Sequence, residues 1–410
     1  MSVLSVPVGF GSTGESWEDL IGEAISLRRH LHRYPELTWQ EEETALFIRK
    51  CLDLLDIPWR ECARTGTVAI LAKDAPGRHI ALRGDIDALP IPEKGQHDWV
   101  STRDGKMHAC GHDGHTATLL AAGAWLKQHE DKLPGPVTLL FQPAEEGGHG
   151  AKAMIEDGAL EGVDVVFGWH NWPAIPFDHA VCPDGPVMAG NATFRITLGG
   201  VGGHASQPES CRDPVLAASA ITLNLQQIVS RRLPPQHEAV VSVTSIEAPS
   251  LATVIPEKAV IGGSIRFARS ADRDVIFGLI DEIASDTARS YGVEATVEPF
   301  TRYDATVNHP AAAAEMREAL AEELGEPWQA AIPLPIMASE DFSYYLQARP
   351  GAFALIGADD GAGHAHPCHS PYYDFNDRLI PVVARLYARL AGVPLTGTSD
   401  SPSSRAQAEA

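Results

Sequence analysis

Val137-Thr138-Leu139-Leu140-Phe141-Gln142 is a short, nearly unbroken apolar run that leads straight into Pro143-Ala144-Glu145-Glu146-Gly147-Gly148. A run of this length and composition reads as a strand buried on both faces, and the two carboxylates stand where it ends. The pattern repeats around it. Thr67–Ala72, His79–Arg83 and Asp164–Trp169 read as further strands, while helical spacing covers His112 to His129 and Ala151–Asp157. Strands alternating with helices predict an α/β domain with a largely parallel sheet. Ligands of such sheets sit outside the carboxyl ends of the strands, which singles out Asp85-Ile86-Asp87, Glu145-Glu146 and His170.

Upstream, Leu20, Ile21, Ala24, Ile25 and Leu27 recur at helix spacing, Pro35 interrupts, and a second helix runs from Glu41 to Leu55. His30 and His32 fall near the end of the first helix, where an imidazole suits the helix dipole, and read as structural. From Asn191 the rhythm changes to strand (Thr193–Leu198), helix (Pro214–Ser230), two strands (Ala239–Ile246, Ala259–Phe267), helix (Arg273–Tyr291) and strand (Glu294–Pro299). That β-α-β-β-α-β order is ferredoxin-like. It predicts an inserted α+β domain at 189–301, with 1–188 and 302–395 forming the first domain. Helices near Ala311–Leu324, Ser339–Leu346 and Arg378–Leu390 and a strand at Ala352–Ile356 complete it, and the Ser/Ala/Thr-rich tail 396–410 is expected to be disordered.

The 410 residues are too many for one core. No apolar run is long enough to span a bilayer. The N-terminus lacks the basic and apolar regions of a secretory signal, and six scattered Cys fit reduced thiols, so the cytoplasm is the expected compartment. A net charge of −22, with no basic cluster beyond short pairs, excludes a nucleic-acid partner.

Met107-His108-Ala109-Cys110-Gly111-His112-Asp113-Gly114-His115 gathers a thiol, three imidazoles and a carboxylate. Cys110 and His112, with a glycine between them, can turn a sulfur and a nitrogen toward one cation. Glu145 and Glu146 would repel one another in a dry site unless a cation relieved them; the bland alternative is a solvated helix start. Adjacent side chains point different ways, so one can bind metal while its neighbour faces a reacting water. With His170 and His369, the possible ligands Cys110, His112 and Glu146 number five, enough for two metals sharing a bridge. His364, His366 and Cys368 compete with His369. Gly200-Val201-Gly202-Gly203-His204-Ala205 superficially suggests a dinucleotide fingerprint, but no helix starts there and no acidic residue occurs between Pro214 and His237.

Taken together, Arg28–Leu37, Leu82–Pro90, Met107–His115, Phe141–Gly148, Gly199–Ser206 and Tyr373–Asp377 make the chain resemble the M20 metallopeptidase family, in particular its aminoacylase-like amidohydrolase branch of hippurate hydrolases, N-acyl amino acid deacetylases and auxin-conjugate hydrolases. The resemblance implies a mixed-sheet catalytic domain with an inserted ferredoxin-like lid and dimerisation domain. It makes Cys110 the bridging ligand, with Glu146 and His369 completing one metal and His112 and His170 the other, and it prefers His369 because that residue precedes Ser370-Pro371-Tyr372. Glu145 becomes the general base, Asp87 the carboxylate behind the ligands, and His204 an oxyanion donor to the partner subunit's site. Asp85 stands where many relatives carry a ligand His, and Thr253 stands where relatives often have Asn. Arg266 is the candidate partner of a substrate carboxylate, a surface Arg on a strand being the alternative. The implied reaction is hydrolysis of an N-acyl, chiefly N-acetyl, amino acid by a homodimer formed through 189–301, using two divalent ions, zinc first and manganese, cobalt or nickel as alternatives. Acetylated diamino acids such as N2-acetyl-2,4-diaminobutyrate or N-acetyl-diaminopimelate are the alternative substrates. A catalytically inactive binding or regulatory homologue is the alternative of another class.

Overall fold

The computed structural model describes residues 16–395. The tail from Thr396, and the N-terminal end read for a secretory signal, lie outside the described residues. Within them the chain divides into two compact units. One runs to Val187 and resumes over 307–333 and from Tyr344; the other comprises Met188–Thr306 and Leu334–Ser343.

The first unit is built on a seven-stranded sheet in the order Trp59–Cys62, Gly66–Leu71, Val137–Gln142, Ile80–Asp85, Val165–Pro176, Gly351–Asp359, Ala180–Val181. The four strands from Val137–Gln142 to Gly351–Asp359 run parallel, whereas the three outer pairings are antiparallel, so the sheet is mixed. Every residue of Ile80–Asp85 and Val137–Gln142 is buried. Such strands need apolar side chains on both faces, which explains the unbroken hydrophobic run. The helix His112–Gln128 is buried along nearly its whole length and has almost no polar face. It packs beneath Trp17–Arg33 and Leu379–Leu390, so a helix apolar all round finds partners all round.

Close approach fixes where that helix begins. A Cβ on Gly84 would lie 2.9 Å from the His115 carbonyl oxygen, and one on Gly114 would lie 2.3 Å from the Phe375 ring. The end of one strand and the first turn of the helix are therefore held in register by missing side chains.

The second unit carries a four-stranded antiparallel sheet in the order Ala239–Glu247, Lys258–Phe267, Gly190–Gly199, Glu294–Thr301. Helices Pro214–Leu225 and Ser270–Ser290 pack on it around Phe194, Ile196, Ile221, Ile261, Ile276 and Ile280. The first helix starts at Pro214 because the Asp213 carboxylate accepts from the amides of Val215 and Leu216. This is the β-α-β-β-α-β order with its first and third strands at the centre. The unit also takes in 302–306 and 334–343, beyond the expected 189–301: Asn191 N donates to the Tyr303 carbonyl, Ala189 N to that of Ile336, and Thr306 Oγ1 to that of Glu340. The helix expected over Ser339–Leu346 forms only at Ser343–Ala348, because Glu340 and Asp341 instead make a buried turn in which the Glu340 carboxylate accepts from Phe342 N. Among the described residues no helix is long and apolar enough to cross a membrane.

Two glycine substitutions should move stability in opposite directions. Gly114→Ala forces a methyl into Phe375, and overpacking of this kind costs about 1–3 kcal/mol. Gly278→Ala, in the helix Ser270–Ser290 with nothing within 4 Å of its Cβ, should gain up to about 1 kcal/mol from helix propensity alone. Denaturant titration of both variants checks this, and a shift of the same sign in both would refute the packing argument.

Candidate active site

Three strands bring the polar groups of the first unit together. Ile80–Asp85 ends at Asp85 and continues to Asp87, Val137–Gln142 ends just before Glu145, and Val165–Pro176 carries His170. His170 sits within its strand, opposite Leu355, rather than at the end as expected, because pairing with Gly351–Asp359 continues to Pro176. Gly111 has φ +94°, a conformation costly to any other residue. A side chain there would also strike Asn171 and the Tyr373 hydroxyl. The glycine thus lets Cys110 and His112 sit one either side of the sharp turn into the helix.

The donors converge in two groups that share one member. Ligand atoms of Cys110, His112 and His170 lie within 4.8 Å of one another, as do those of Cys110, Glu146 and His369. Cys110 Sγ is 3.3 Å from His170 Nε2, and His369 Nε2 is 3.1 Å from Glu146 Oε1. Glu145, buried, groups with His112 and Glu146. His369 is the loop histidine that joins, held by its own amide donating to the Ala109 carbonyl; His364 instead contacts Asp360, and His366 packs beside Tyr372.

Hydrogen bonds fix which nitrogen each imidazole offers. His170 Nδ1 lies 2.7 Å from the Asn171 carbonyl and His112 Nδ1 lies 2.9 Å from the Asp87 carbonyl. A carbonyl only accepts, so each Nδ1 carries a proton and Nε2 is the nitrogen left to meet an ion. The Asp87 carboxylate accepts from Glu145 N, Glu146 N and Thr38 Oγ1 at 3.1, 3.0 and 2.9 Å. One side chain therefore ties strand end, glutamate turn and helix start together.

The electrostatics call for positive charge. Burial disfavours a charged His112, yet Asp85, Asp87 and Glu146 outweigh it and raise its pKa to about 10. His170 is held well below its ordinary value by burial and by His115 and His112, so it stays neutral. A hydrogen bond with Cys368, burial and the nearby glutamates hold the Cys110 thiol well above its ordinary value. Ionising that thiol needs a compensating cation beside it. The set fits divalent metal: imidazole Nε2 atoms, a carboxylate and a thiol stand in a surplus of negative charge, and an ion would take the place of the proton that His112 otherwise holds.

His204, Thr253 and Arg266 belong to the second unit. Gly203–His204 pairs with Val254–Ile255, and Ala205 N donates to the Thr253 carbonyl, so Thr253 adjoins His204. His204 is exposed; its Nδ1 accepts from Ser206 N, which leaves the proton on Nε2. Arg266, half-buried, donates to Ser339 Oγ.

Sequence reasoning passed over three residues that build this site. His115 bridges Asp85 Oδ1 at 2.6 Å and Asn171 Oδ1 at 2.7 Å, and Asn171 Nδ2 donates to the Tyr373 hydroxyl. Glu41 accepts from Ala144 N and Thr65 Oγ1 and holds the glutamate turn from behind. His115 stood in the quoted stretch, three residues from His112 on one helix, which is a legible signal. Asn171 and Glu41 left none.

The description Peptidase family M20/M25/M40 matches residues 81–392, and the chain belongs to that family. It is 40% identical to an N-acetyl-L-cysteine deacetylase of Bacillus subtilis, covering 87% of this chain and 85% of that protein. It is 36% identical to the hippurate hydrolase of Campylobacter jejuni, over 91% of this chain and 97% of the relative. Among solved structures, a dinuclear metal-binding peptidase of the M20 family from Bacillus subtilis superposes with TM-score 0.79 at 33% identity, covering 90% of this chain and 97% of that one.

Glu41 gives a signed pH prediction. Burial, then the charge of Asp87, raises its carboxyl from 4.5 to about 7 in the folded chain. A pKa raised by folding contributes stability below the unfolded value and loses it as pH rises through the folded one. Glu41→Gln, which cannot ionise, should therefore gain on the wild type between pH 4.5 and about 7. Urea melts of metal-free protein across that window check it; a difference independent of pH would overturn the assignment.

Proposed function

We propose that this chain is a dinuclear metal-dependent amidohydrolase that splits the amide of an N-acyl amino acid into a carboxylate and a free amine, N-acetyl amino acids being the favoured substrates. The observation that carries the reading is the sharing of Cys110 between two donor groups. A thiolate can bridge, and with two donors on either side of it the five suffice for two ions. His112 and His170 would hold one ion, Glu146 and His369 the other. Zinc is the favoured metal for this nitrogen, oxygen and sulfur set, with manganese, cobalt and nickel as alternatives. When bound, such ions polarise the amide carbonyl and acidify water.

The chain's own groups do the rest. Glu145, held by its backbone amide on Asp87, takes a proton from the attacking water and returns it to the departing amine. Asp87 keeps the neighbouring Glu146 and His112 in place, so base and ligands share one rigid support. His204, with its proton on Nε2, is suited to donate to the oxyanion of the tetrahedral intermediate. We assign that donor to the site of a second subunit, the dimer forming through the inserted unit. Arg266 would hold the substrate carboxylate, and Thr253 would bear on substrate choice. Six free cysteines accord with a reducing, cytoplasmic setting.

Neighbouring glutamates with different roles should fail differently. Glu145→Gln should keep its metal and lose turnover by a factor of about 10² or more, whereas Glu146→Ala should also lose metal. Elemental analysis alongside release of free amine from N-acetyl amino acids separates them; equal metal loss in both would sink the role of Glu145.

His204→Ala should lower kcat by about 10²-fold or more with metal content intact. Mixed with Glu145→Gln chains under subunit exchange, it should regain activity, since one hybrid site combines a working base and a working donor. Continued inactivity in verified heterodimers would place the action of His204 within its own chain or nowhere.

A further inference from the structure

Away from Cys110, the first unit holds a second gathering of imidazole and carboxylate. His32, in the last turn of Trp17–Arg33, meets Glu93 and His97, and their donor atoms lie within 4.8 Å of one another. His32 Nε2 is 3.1 Å from Glu93 Oε1, and His97 Nε2 is 3.0 Å from that same oxygen. The other oxygen, Oε2, is occupied by the amide of Ser101. Two donors on one tetrahedral ion, each about 2.0–2.1 Å from it, stand about 3.3 Å apart. The three atoms are already near ligand spacing.

Their surroundings point the same way. His32 Nδ1 lies 2.8 Å from Asp113 Oδ2, and a carboxylate behind the ring is what orients a metal-binding histidine. Asp374 Oδ1, 3.9 Å from His97 Nε2, offers a fourth donor. The His97 side chain is only 12% exposed, and neither ring nitrogen makes a well-directed hydrogen bond. Burying two unsatisfied nitrogens is costly. Carboxylates also outnumber guanidiniums here: Asp113, Asp374 and Asp377 pair with Arg28 and Arg29, while Glu93 faces the two imidazoles. That surplus of negative charge suits a bound cation.

We propose that His32, Glu93 and His97 form a third metal site, for a divalent transition ion of the zinc class, that pins the first helix to the 93–97 stretch. Asp113 directly follows His112, so an ion here braces the turn that carries a donor of the active site without itself meeting substrate. His32, which from sequence alone reads as a helix-end residue, becomes a ligand. A proton is the competing occupant: burial disfavours a charged His32, but Asp113 and Glu93 push its pKa up to about 9. Metal and proton predict different results.

The test is metal counting on the full chain, stripped with chelator and reloaded with Co²⁺ alone. The wild type should retain one more Co²⁺ per chain than His97→Ala, and its thermal unfolding temperature should rise more on reloading. Cys110→Ala should still hold the ion that His97→Ala lacks. Equal Co²⁺ content in wild type and His97→Ala, both folded by circular dichroism, would overturn the proposal in favour of a protonated His32. So would loss of that same ion in Cys110→Ala. Should His97→Ala fail to fold, Glu93→Gln, which keeps shape and Ser101 contact but weakens the ligand, carries the same comparison. These outcomes are read as a difference between variants, so they stand whether or not the active site holds two ions.

Discussion

The site depends on the carboxylate of Asp87. One oxygen accepts from the amide of Glu145, the other from the amide of Glu146 and the hydroxyl of Thr38, and its own carbonyl accepts a hydrogen bond from His112 Nδ1. Three segments distant in sequence are thereby fixed to one buried side chain. Taking a carboxylate out of water costs several kcal/mol unless hydrogen bonds replace hydration, and here backbone donors replace it. The same bonds that satisfy Asp87 decide where Glu145, Glu146 and His112 stand.

That economy explains what could be read from the chain and what could not. The strand Val137–Gln142, the β-α-β-β-α-β order and the turn at Gly111 leave local traces: apolar runs, period and a glycine between two donors. Cys110, His112, Glu146, His170 and His369 belong to residue types that rarely gather without cause, and they stand together in the folded chain. Glu41 and Asn171 act through partners 103 and 56 positions away, and an isolated Glu or Asn looks the same whether it caps a distant turn or faces water. The stretch 334–343 joins the second unit for the same reason, through single backbone hydrogen bonds that carry no pattern.

Buried charge is the other recurring theme. Arg83 lies fully buried between Asp85 and Gln142, and Arg28 lies fully buried against Asp113 and Asp377. Each guanidinium sits behind a layer of carboxylates that in turn faces imidazoles. Such layering keeps acidic side chains ionised next to groups that need a negative neighbour, as Asp85 beside His112 and His115 does, with its pKa well below the ordinary carboxylate range. It also makes single deletions harsh, since a lone partner left behind in a dry interior is costly.

The strand Gly351–Asp359 lies between Val165–Pro176 and Ala180–Val181 in the sheet, although the whole second unit separates it from them along the chain. A growing polypeptide emerging from the ribosome can fold its inserted unit before that strand exists, since domains generally fold as units in the order they are made. The catalytic sheet must wait, with the edge of Val165–Pro176 open, until Gly351–Asp359 has been synthesised. His369 arrives later still. The site cannot assemble before then, and in the meantime an unfilled strand position is open to mispairing.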